Sequence, residues 1–286
     1  LDYGYDQLFV VPATGGTARQ VTTGDFHHDG RPVWTADGDA LIFSANRHDN
    51  WERERRNTEL YRVSLSDGSI VPLTDRFGPD HTPRLSPTGE RLAYLGYDDA
   101  VQTYQLTHLY VMDADGADVR RVEMGLNRSV DDIAWAPDGD GLYLQYEDEG
   151  TTTLGHTTLQ GDTTVVATQL GGTSIGRPYG GGHFSVASTG RLALNHTTPQ
   201  HPAELVVARR GGPARQVTDL NADLLDRRTL GTVEEVRYRS SKDGRPLHGW
   251  VVTPPNYTPD RRYPLLVEIH GGPISNYGDR FSAEIQ

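Results

Sequence analysis

A motif that returns about every fifty residues constrains this chain more than any other feature it carries. An apolar or aromatic residue precedes a turn of small and polar residues that ends in glycine, and an alternating apolar run follows. The first copy is Pro32-Val33-Trp34-Thr35-Ala36-Asp37-Gly38, then Ala40-Leu41-Ile42-Phe43. The second is Pro83-Arg84-Leu85-Ser86-Pro87-Thr88-Gly89, then Arg91-Leu92-Ala93-Tyr94. The third is Ile133-Ala134-Trp135-Ala136-Pro137-Asp138-Gly139, then Leu142-Tyr143-Leu144, and a weaker fourth runs Phe184-Ser185-Val186-Ala187-Ser188-Thr189-Gly190, then Leu192-Ala193-Leu194. The turn glycines are spaced by 51, 50 and 51 residues. Pro, Asp and Gly suit such a turn: one fixes φ, one bonds its own backbone, and one accepts a positive φ.

A second strand pair follows each copy. Its first members are Leu60-Tyr61-Arg62-Val63, Leu109-Tyr110-Val111-Met112, a degraded Leu154-Gly155-His156-Thr157 and Leu205-Val206-Val207-Ala208. Turns at Asp67-Gly68, Asp115-Gly116, Gly161-Asp162 and Gly211-Gly212 come next, and closing strands end at Val21-Thr22, Leu73-Thr74 and Val217-Thr218. Four short antiparallel strands in a unit of roughly 40–50 residues describe a β-propeller blade. Residues 24–218 supply four blades, and residues 8–22 the last two strands of an earlier one. With Leu1 at the start and no targeting segment after it, further blades are expected upstream; closure by strands from the C-terminal end is the alternative.

Composition narrows the function. The chain has 286 residues, with 39 acidic against 27 basic side chains and a formal charge of −12. That balance argues against nucleic acid or an anionic membrane as the partner, since both need a dense basic face. No run approaches the roughly 18–20 apolar residues of a spanning helix. Cysteine is absent, which excludes disulfide frameworks, thiolate metal sites and cysteine nucleophiles. His27-His28-Asp29 and Asp131-Asp132 lack partners at metal-ligand spacing and read as turn and blade-edge residues. No metal and no cofactor is expected. Gly180-Gly181-Gly182-His183 lacks the Lys-Ser/Thr of a phosphate loop and reads as a flexible inter-blade connection. Trp34 and Trp135, at equivalent repeat positions, read as core.

The text changes character after Thr218. Residues 219–232 form a linker, with Leu220, Leu224 and Leu225 at near-helical spacing. Val233 to Arg239 and Leu247 to Thr253 alternate around a Lys242-Asp243-Gly244-Arg245 turn and predict a hairpin. Tyr263-Pro264-Leu265-Leu266-Val267-Glu268-Ile269 is nearly continuous apolar sequence, which predicts a strand buried on both faces of an α/β sheet. His270-Gly271-Gly272-Pro273 ends it. In α/β-hydrolases a His-Gly-Gly-type loop gives a backbone N–H to the oxyanion hole, because glycine lets a bare amide approach developing charge.

The blade repeats, the linker, the hairpin with Ser241-Lys242-Asp243-Gly244 and Gly249-Trp250, and the Tyr263-Pro264-Leu265 segment leading into His270-Gly271-Gly272-Pro273 resemble the prolyl oligopeptidase family of serine peptidases. The nearest branch is that of the acylaminoacyl and dipeptidyl peptidases. The resemblance implies an all-β propeller over 1–218, a linker over 219–232 and the first strands of an α/β-hydrolase domain over 233–286. It also implies hydrolysis of short peptides through an acyl-enzyme, with the propeller as a filter. Gly272, with Gly271 beside it, is the expected oxyanion donor, and His270 either donates from its side chain or buttresses the loop. The family's nucleophile lies in a Gly-x-Ser-x-Gly elbow, which this sequence does not contain, so the triad is expected outside the chain and the chain alone is expected to be inactive. Dipeptidyl peptidases use a propeller glutamate pair to hold the substrate amine, which draws attention to Glu52 and Glu54. Their spacing and the flanking Arg53, Arg55 and Arg56 favour a solvated hairpin tip, with substrate gating or a subunit contact at Glu52 and Glu54 as the alternatives. A homo-oligomer is compatible with this sequence, and the expected compartment is the cytoplasm, with the periplasm as the alternative. The competing reading is a non-catalytic propeller for protein binding of the Tol type; a third keeps the hydrolase as an esterase.

Overall fold

A computed structural model of the chain describes residues 4–272 and 274–286. Among them the architecture is almost entirely antiparallel β, in two compact units: residues 1–144 with 157–163, and residues 145–156 with 164–286.

The first unit begins with a pair, β1 (Phe9–Val10) and β2 (Arg19–Gln20). A four-stranded sheet follows, formed in chain order by β3 (Val33–Trp34), β4 (Ala40–Ala45), β5 (Glu59–Ser64) and β6 (Ile70–Pro72). The next repeats that order with β7 (Asp80–Leu85), β8 (Arg91–Gly96), β9 (His108–Asp113) and β10 (Arg120–Arg121). The unit then takes in β11 (Val130–Trp135) and the beginning of β12 (Gly141–Asp148).

Each sequence repeat yields the same turn. Gly38, Gly89, Gly139 and Gly190 have φ of 75°, 76°, 75° and 74°. Their amides donate to Thr35, Ser86, Ala136 and Ala187 carbonyls at 3.0, 2.9, 2.9 and 2.9 Å. A side chain with a Cβ is strained at that φ, so the glycine beat is a backbone requirement.

The core lies between neighbouring sheets. β4 is buried on both faces. Leu41, Phe43 and Ala45 pack with Val21 on one side, while Ile42 packs with Leu92, Tyr94 and Met112 on the other. Period-2 alternation here divides the strand between two apolar interfaces, which is why it reads Ala-Leu-Ile-Phe and not apolar-polar.

Trp135 and Trp34 part company, against expectation. Trp135 is buried and its indole N–H donates to Arg84 O at 2.8 Å, whereas Trp34 is 53% exposed. The sheet before β3 has only β1 and β2 among the described residues, so no counterpart of β7 lies against Trp34. Trp135→Phe is therefore expected to cost about 1 kcal/mol, the value of a typical hydrogen bond, with Trp34→Phe near neutral; urea unfolding of both variants measures the difference. Asp132 lies at a sheet edge as expected and pairs with Arg84 at 2.9 Å. His28 is instead buried, its ring against Phe43 at 5.5 Å and in contact with Arg47. Burial first, and the Arg47 charge second, hold it below the usual histidine range.

In the second unit the rest of β12 runs beside β13 (Thr151–Thr158), followed by β14 (Thr163–Leu170), β16 (Arg191–Thr198), β17 (His201–Arg209) and β18 (Arg215–Gln216), with β15 (Phe184–Val186) pairing β16; the end of β13 and Thr163 at the start of β14 fall in the first unit. A single turn of helix, α1 (Ala222–Leu225), marks the linker. The expected hairpin forms from β19 (Thr232–Arg239) and β20 (Pro246–Thr253), with Val236 opposite Gly249.

The expected buried strand at 263–269 does not form. Those residues take no regular structure, and Leu265, Leu266, Val267 and Ile269 are 72–92% exposed. A strand buried on both faces draws its hydrogen bonds and its burial from neighbours on each side. No strand among the described residues pairs with this segment.

Candidate functional site

The His270 loop belongs to the second unit and folds back on Arg177 and Tyr179. Tyr179 and Tyr277 form an isolated antiparallel bridge, and their rings meet edge to face at 4.9 Å. The Tyr277 hydroxyl donates to Glu268 at 3.1 Å. Arg177 reaches Glu268 at 3.1 Å and forks onto Glu284 at 3.1 and 3.3 Å. Above this support the Gly271 amide donates to the Tyr179 hydroxyl at 3.3 Å, and Ser275 Oγ donates to Gly271 O at 3.1 Å. His270 Nδ1 lies 2.9 Å from Gly271 O, so the Nδ1-protonated ring donates to that carbonyl, and its ring lies 5.6 Å from Tyr277.

His270, Gly271 and Gly272 are thus brought together at the surface. Gly272 has φ of 147°, and an added Cβ would sit 2.8 Å from Ile274 N, so this position requires glycine. A Cβ on Gly271 would lie at an ordinary 3.7 Å from the Tyr179 hydroxyl. Pro273 lies outside the described residues.

The same unit holds a buried ion pair. Arg280, its side chain 2% exposed, donates to Glu147 at 2.5 Å and to Thr152 Oγ1 at 2.7 Å, and reaches Pro178 O at 3.5 Å. Thr152 also donates to Glu147. The Gly180-Gly181-Gly182 run packs over this pair: a Cβ on Gly180 would come within 2.8 Å of the Glu147 carboxyl, and one on Gly182 within 2.7 Å of Leu170. Gly180 and Gly182 serve close approach, where the sequence suggested a flexible connection, and Gly181 between them takes a φ of 138°.

Glu52 and Glu54 sit in the first unit on consecutive turns between β4 and β5. Glu52 is exposed. The Glu54 carboxylate accepts from Asn57 Nδ2 at 3.2 Å, and its carbonyl accepts from Asn46 at 2.7 Å. Glu54 therefore orders the turn it lies in. Nearby, Trp51 packs against Tyr5 and His27 with centroids at 6.2 and 5.8 Å.

Sequence reasoning overlooked the groups that pin the closing threonines Thr22, Thr74 and Thr218. The Thr74 hydroxyl accepts from Leu60 N at 2.9 Å and donates to Glu59 Oε2 at 2.5 Å. Thr22 does the same with Leu8 and Gln7, and Thr218 with Leu205 and Glu204. The signal was present as Gln7-Leu8, Glu59-Leu60 and Glu204-Leu205, whose first residues stand 15, 15 and 14 residues before Thr22, Thr74 and Thr218.

Environment separates the two acids. Burial pushes Glu59 up to about 8 despite the Thr74 bond. Burial also pushes Asp80 up to about 6, although Arg76 pairs with it. At Glu204 burial is outweighed by hydrogen bonds from Thr218 and from the Leu220 amide, and its carboxyl is held below the usual range.

A cleft of about 390 Å³ in the first unit is lined by Tyr97, Tyr104, His108, Tyr110 and Arg121 among others. Among the described residues no group of three or more His, Asp or Glu is arranged to hold a metal ion. No helix among them is long and apolar enough to cross a membrane.

Residues 2–104 match the family described as the dipeptidyl peptidase IV (DPP IV) N-terminal region. Along 93% of its length the chain is 27% identical to dipeptidyl-peptidase 5 of Porphyromonas gingivalis, covering 40% of that protein. Along 99% it is 25% identical to the uncharacterized peptidase YuxL of Bacillus subtilis, covering 44%. The chain thus spans less than half the length of these relatives. Among solved structures, 95% of it superposes on the acylaminoacyl peptidase of Pyrococcus horikoshii with a TM-score of 0.70 at 21% identity, covering 39% of that chain. TolB of Acinetobacter baumannii shares the fold more loosely, with a TM-score of 0.52 at 17% identity over 86% of this chain and 57% of that one. The matched region, the peptidase relatives and the shared fold relate the chain to the peptidases of the prolyl oligopeptidase family, which its blade repeats and His-Gly-Gly loop resemble.

Proposed function

We propose that this chain is the propeller and oxyanion-loop portion of a serine peptidase of the dipeptidyl or acylaminoacyl type, acting on short peptides. The observation that carries the proposal is the succession, in one chain, of blade sheets, the β19–β20 hairpin and an exposed apolar segment that delivers His270, Gly271 and Gly272 together at the surface. In the reaction, a serine outside residues 1–286 attacks the scissile carbonyl, a histidine takes its proton, and the carbonyl oxygen gains charge. The Gly272 amide donates to that oxygen, which lowers the barrier because the donor is already in place when the charge forms. The histidine passes the proton to the amine as the scissile C–N bond breaks and the amine leaves, and water, losing its proton to the same histidine, then hydrolyses the acyl-enzyme ester to release the acid and restore the serine. The Tol-type alternative accounts for the blades but gives the hairpin and the His-Gly-Gly loop no task.

The test compares this chain with the full-length gene product on dipeptide and acyl-amino-acid chromogenic amides, with a fluorophosphonate probe in parallel. The full-length protein is expected to hydrolyse the amides and take the label, and the 286-residue chain to do neither. An inert, unlabelled full-length protein overturns the proposal, as does labelling of the chain alone. Gly272→Ala keeps the amide but cannot hold the φ of 147° beside Ile274 N, so it displaces the donor, and in the full-length protein it is expected to lower kcat by up to about 10²-fold, the loss typical of one oxyanion donor.

A further inference from the structure

We propose that Tyr179, on the segment between β14 and β15, is the positioning residue for the oxyanion loop, its hydroxyl fixing the His270–Gly271 peptide from which the Gly272 amide is presented. The inference rests on the reading of His270–Gly272 given above and extends it to a side chain about ninety residues away in sequence. Three observations carry it.

The hydroxyl is at the loop already, because it accepts from the Gly271 amide at 3.3 Å. The Gly271 N–H lies in one peptide plane with the His270 carbonyl, so this bond fixes that plane; the next plane, which carries the Gly272 amide, is held at its own carbonyl, Gly271 O, by Ser275 Oγ at 3.1 Å and His270 Nδ1 at 2.9 Å. Glycines by themselves leave those planes free to rotate, so an oxyanion loop made of two glycines needs an outside group to hold it.

Tyr179 is itself held. Its ring meets Tyr277 at 4.9 Å across the bridge that joins the two backbones. Tyr277 is in turn bonded to Glu268 at 3.1 Å, and Arg177 ties Glu268 and Glu284 to the same side. The restraint therefore has a grip on both ends of the loop, at 268 and at 277.

The base beneath it is rigid. Arg280, nearly fully buried, reaches Pro178 O at 3.5 Å, and Gly180 and Gly182 pack too closely on Glu147 and Leu170 to accept side chains. A reactive group is placed accurately when the residues behind it are locked by packing and hydrogen bonds.

Tyr179→Phe keeps the ring and its contact with Tyr277 and removes only the hydroxyl. In the full-length protein it is expected to lower kcat roughly tenfold with KM unchanged, since misplacing a donor weakens transition-state binding and leaves substrate binding alone. Amide exchange over residues 268–276, measured in the same variant, is expected to quicken while the melting temperature holds. Wild-type kcat in Tyr179→Phe overturns the inference even if exchange quickens, because the hydroxyl would then only tidy the fold. A parallel rise in KM with no loss of kcat overturns it too, by making Tyr179 a substrate contact. If wild-type full-length protein neither hydrolyses nor takes the fluorophosphonate, the functional reading itself falls and the inference with it. If it is active while Tyr179→Phe matches it, only the inference falls.

Discussion

Raising the pH from 5 to 8.5 is expected to weaken the first unit, and Glu59→Gln is expected to remove most of that dependence. Glu59 sits with its side chain 2% exposed, bonded by Thr74 and 3.7 Å from His48 Nε2. Its carboxyl is pushed from the usual 4.5 up to about 8, chiefly by burial and then, against the Thr74 bond, by the neighbouring Asp80 and Asp75 charges. Between those two values the folded chain keeps a proton that the unfolded chain has lost. Stability is then fully present below pH 4.5 and falls with rising pH, at a slope that approaches about 1.4 kcal/mol per unit until the folded carboxyl ionises near pH 8. Asp80 has the same sign over the lower range, from 3.8 to about 6. Gln at position 59 still accepts from Thr74, as Gln7 does from Thr22 in the preceding repeat, so the variant keeps the fold and loses the titration. Urea midpoints for both proteins at half-unit steps of pH measure this. A wild-type midpoint that is level or rising between pH 5 and 8 defeats the assignment, and so does an unchanged slope in Glu59→Gln.

The fold was legible in the sequence wherever one residue's requirement repeats. A positive φ near 75° is needed four times, and glycine is there four times, so the blades and their turns were readable without coordinates. The β19–β20 hairpin was readable for the same reason, because alternation and the Gly244 turn are local properties. What failed were statements about what covers a residue. Trp34 and Trp135 occupy one position in the repeat, and their burial differs because one has β7 beside it and the other has no equivalent strand. The segment from Leu265 to Ile269 has the composition of a core strand and none of the partners. At the candidate site the glycines were visible, since glycine next to glycine after an apolar run is conspicuous in the text. Tyr179, Arg177 and Glu268 were not, because nothing in the sequence connects positions 177 to 179 with a loop at 271. Glu59 lay between these extremes. Its spacing to Thr74 recurs, but its proton is a consequence of burial that only the packed sheets create.

Glu147→Ala is expected to destabilise the second unit by about 3 kcal/mol or more, within the range for removing one partner of a buried ion pair. The asymmetry of the pair decides which member to change. Arg280 has a side chain 2% exposed, while Glu147 is 26% exposed and keeps some contact with water. Removing the acid strands a guanidinium whose Nε already has no partner, leaving Thr152 and a long contact to Pro178 as its remaining acceptors. Removing Arg280 strands only a carboxylate that is partly hydrated and still bonded by Thr152, which costs less. The expected order of stability is therefore wild type, then Arg280→Met, then Glu147→Ala. The double variant is expected to recover part of the Glu147→Ala loss, because it leaves no charge unpaired. At 2–4 °C per kcal/mol for a domain of this size, Glu147→Ala shifts the melting transition of this unit down by roughly 6–12 °C. Calorimetry on the four proteins reads the order directly. Equal losses in the two single variants defeat the argument from asymmetry, and a double variant as weak as the sum of both shows that Glu147 and Arg280 do not act as a pair.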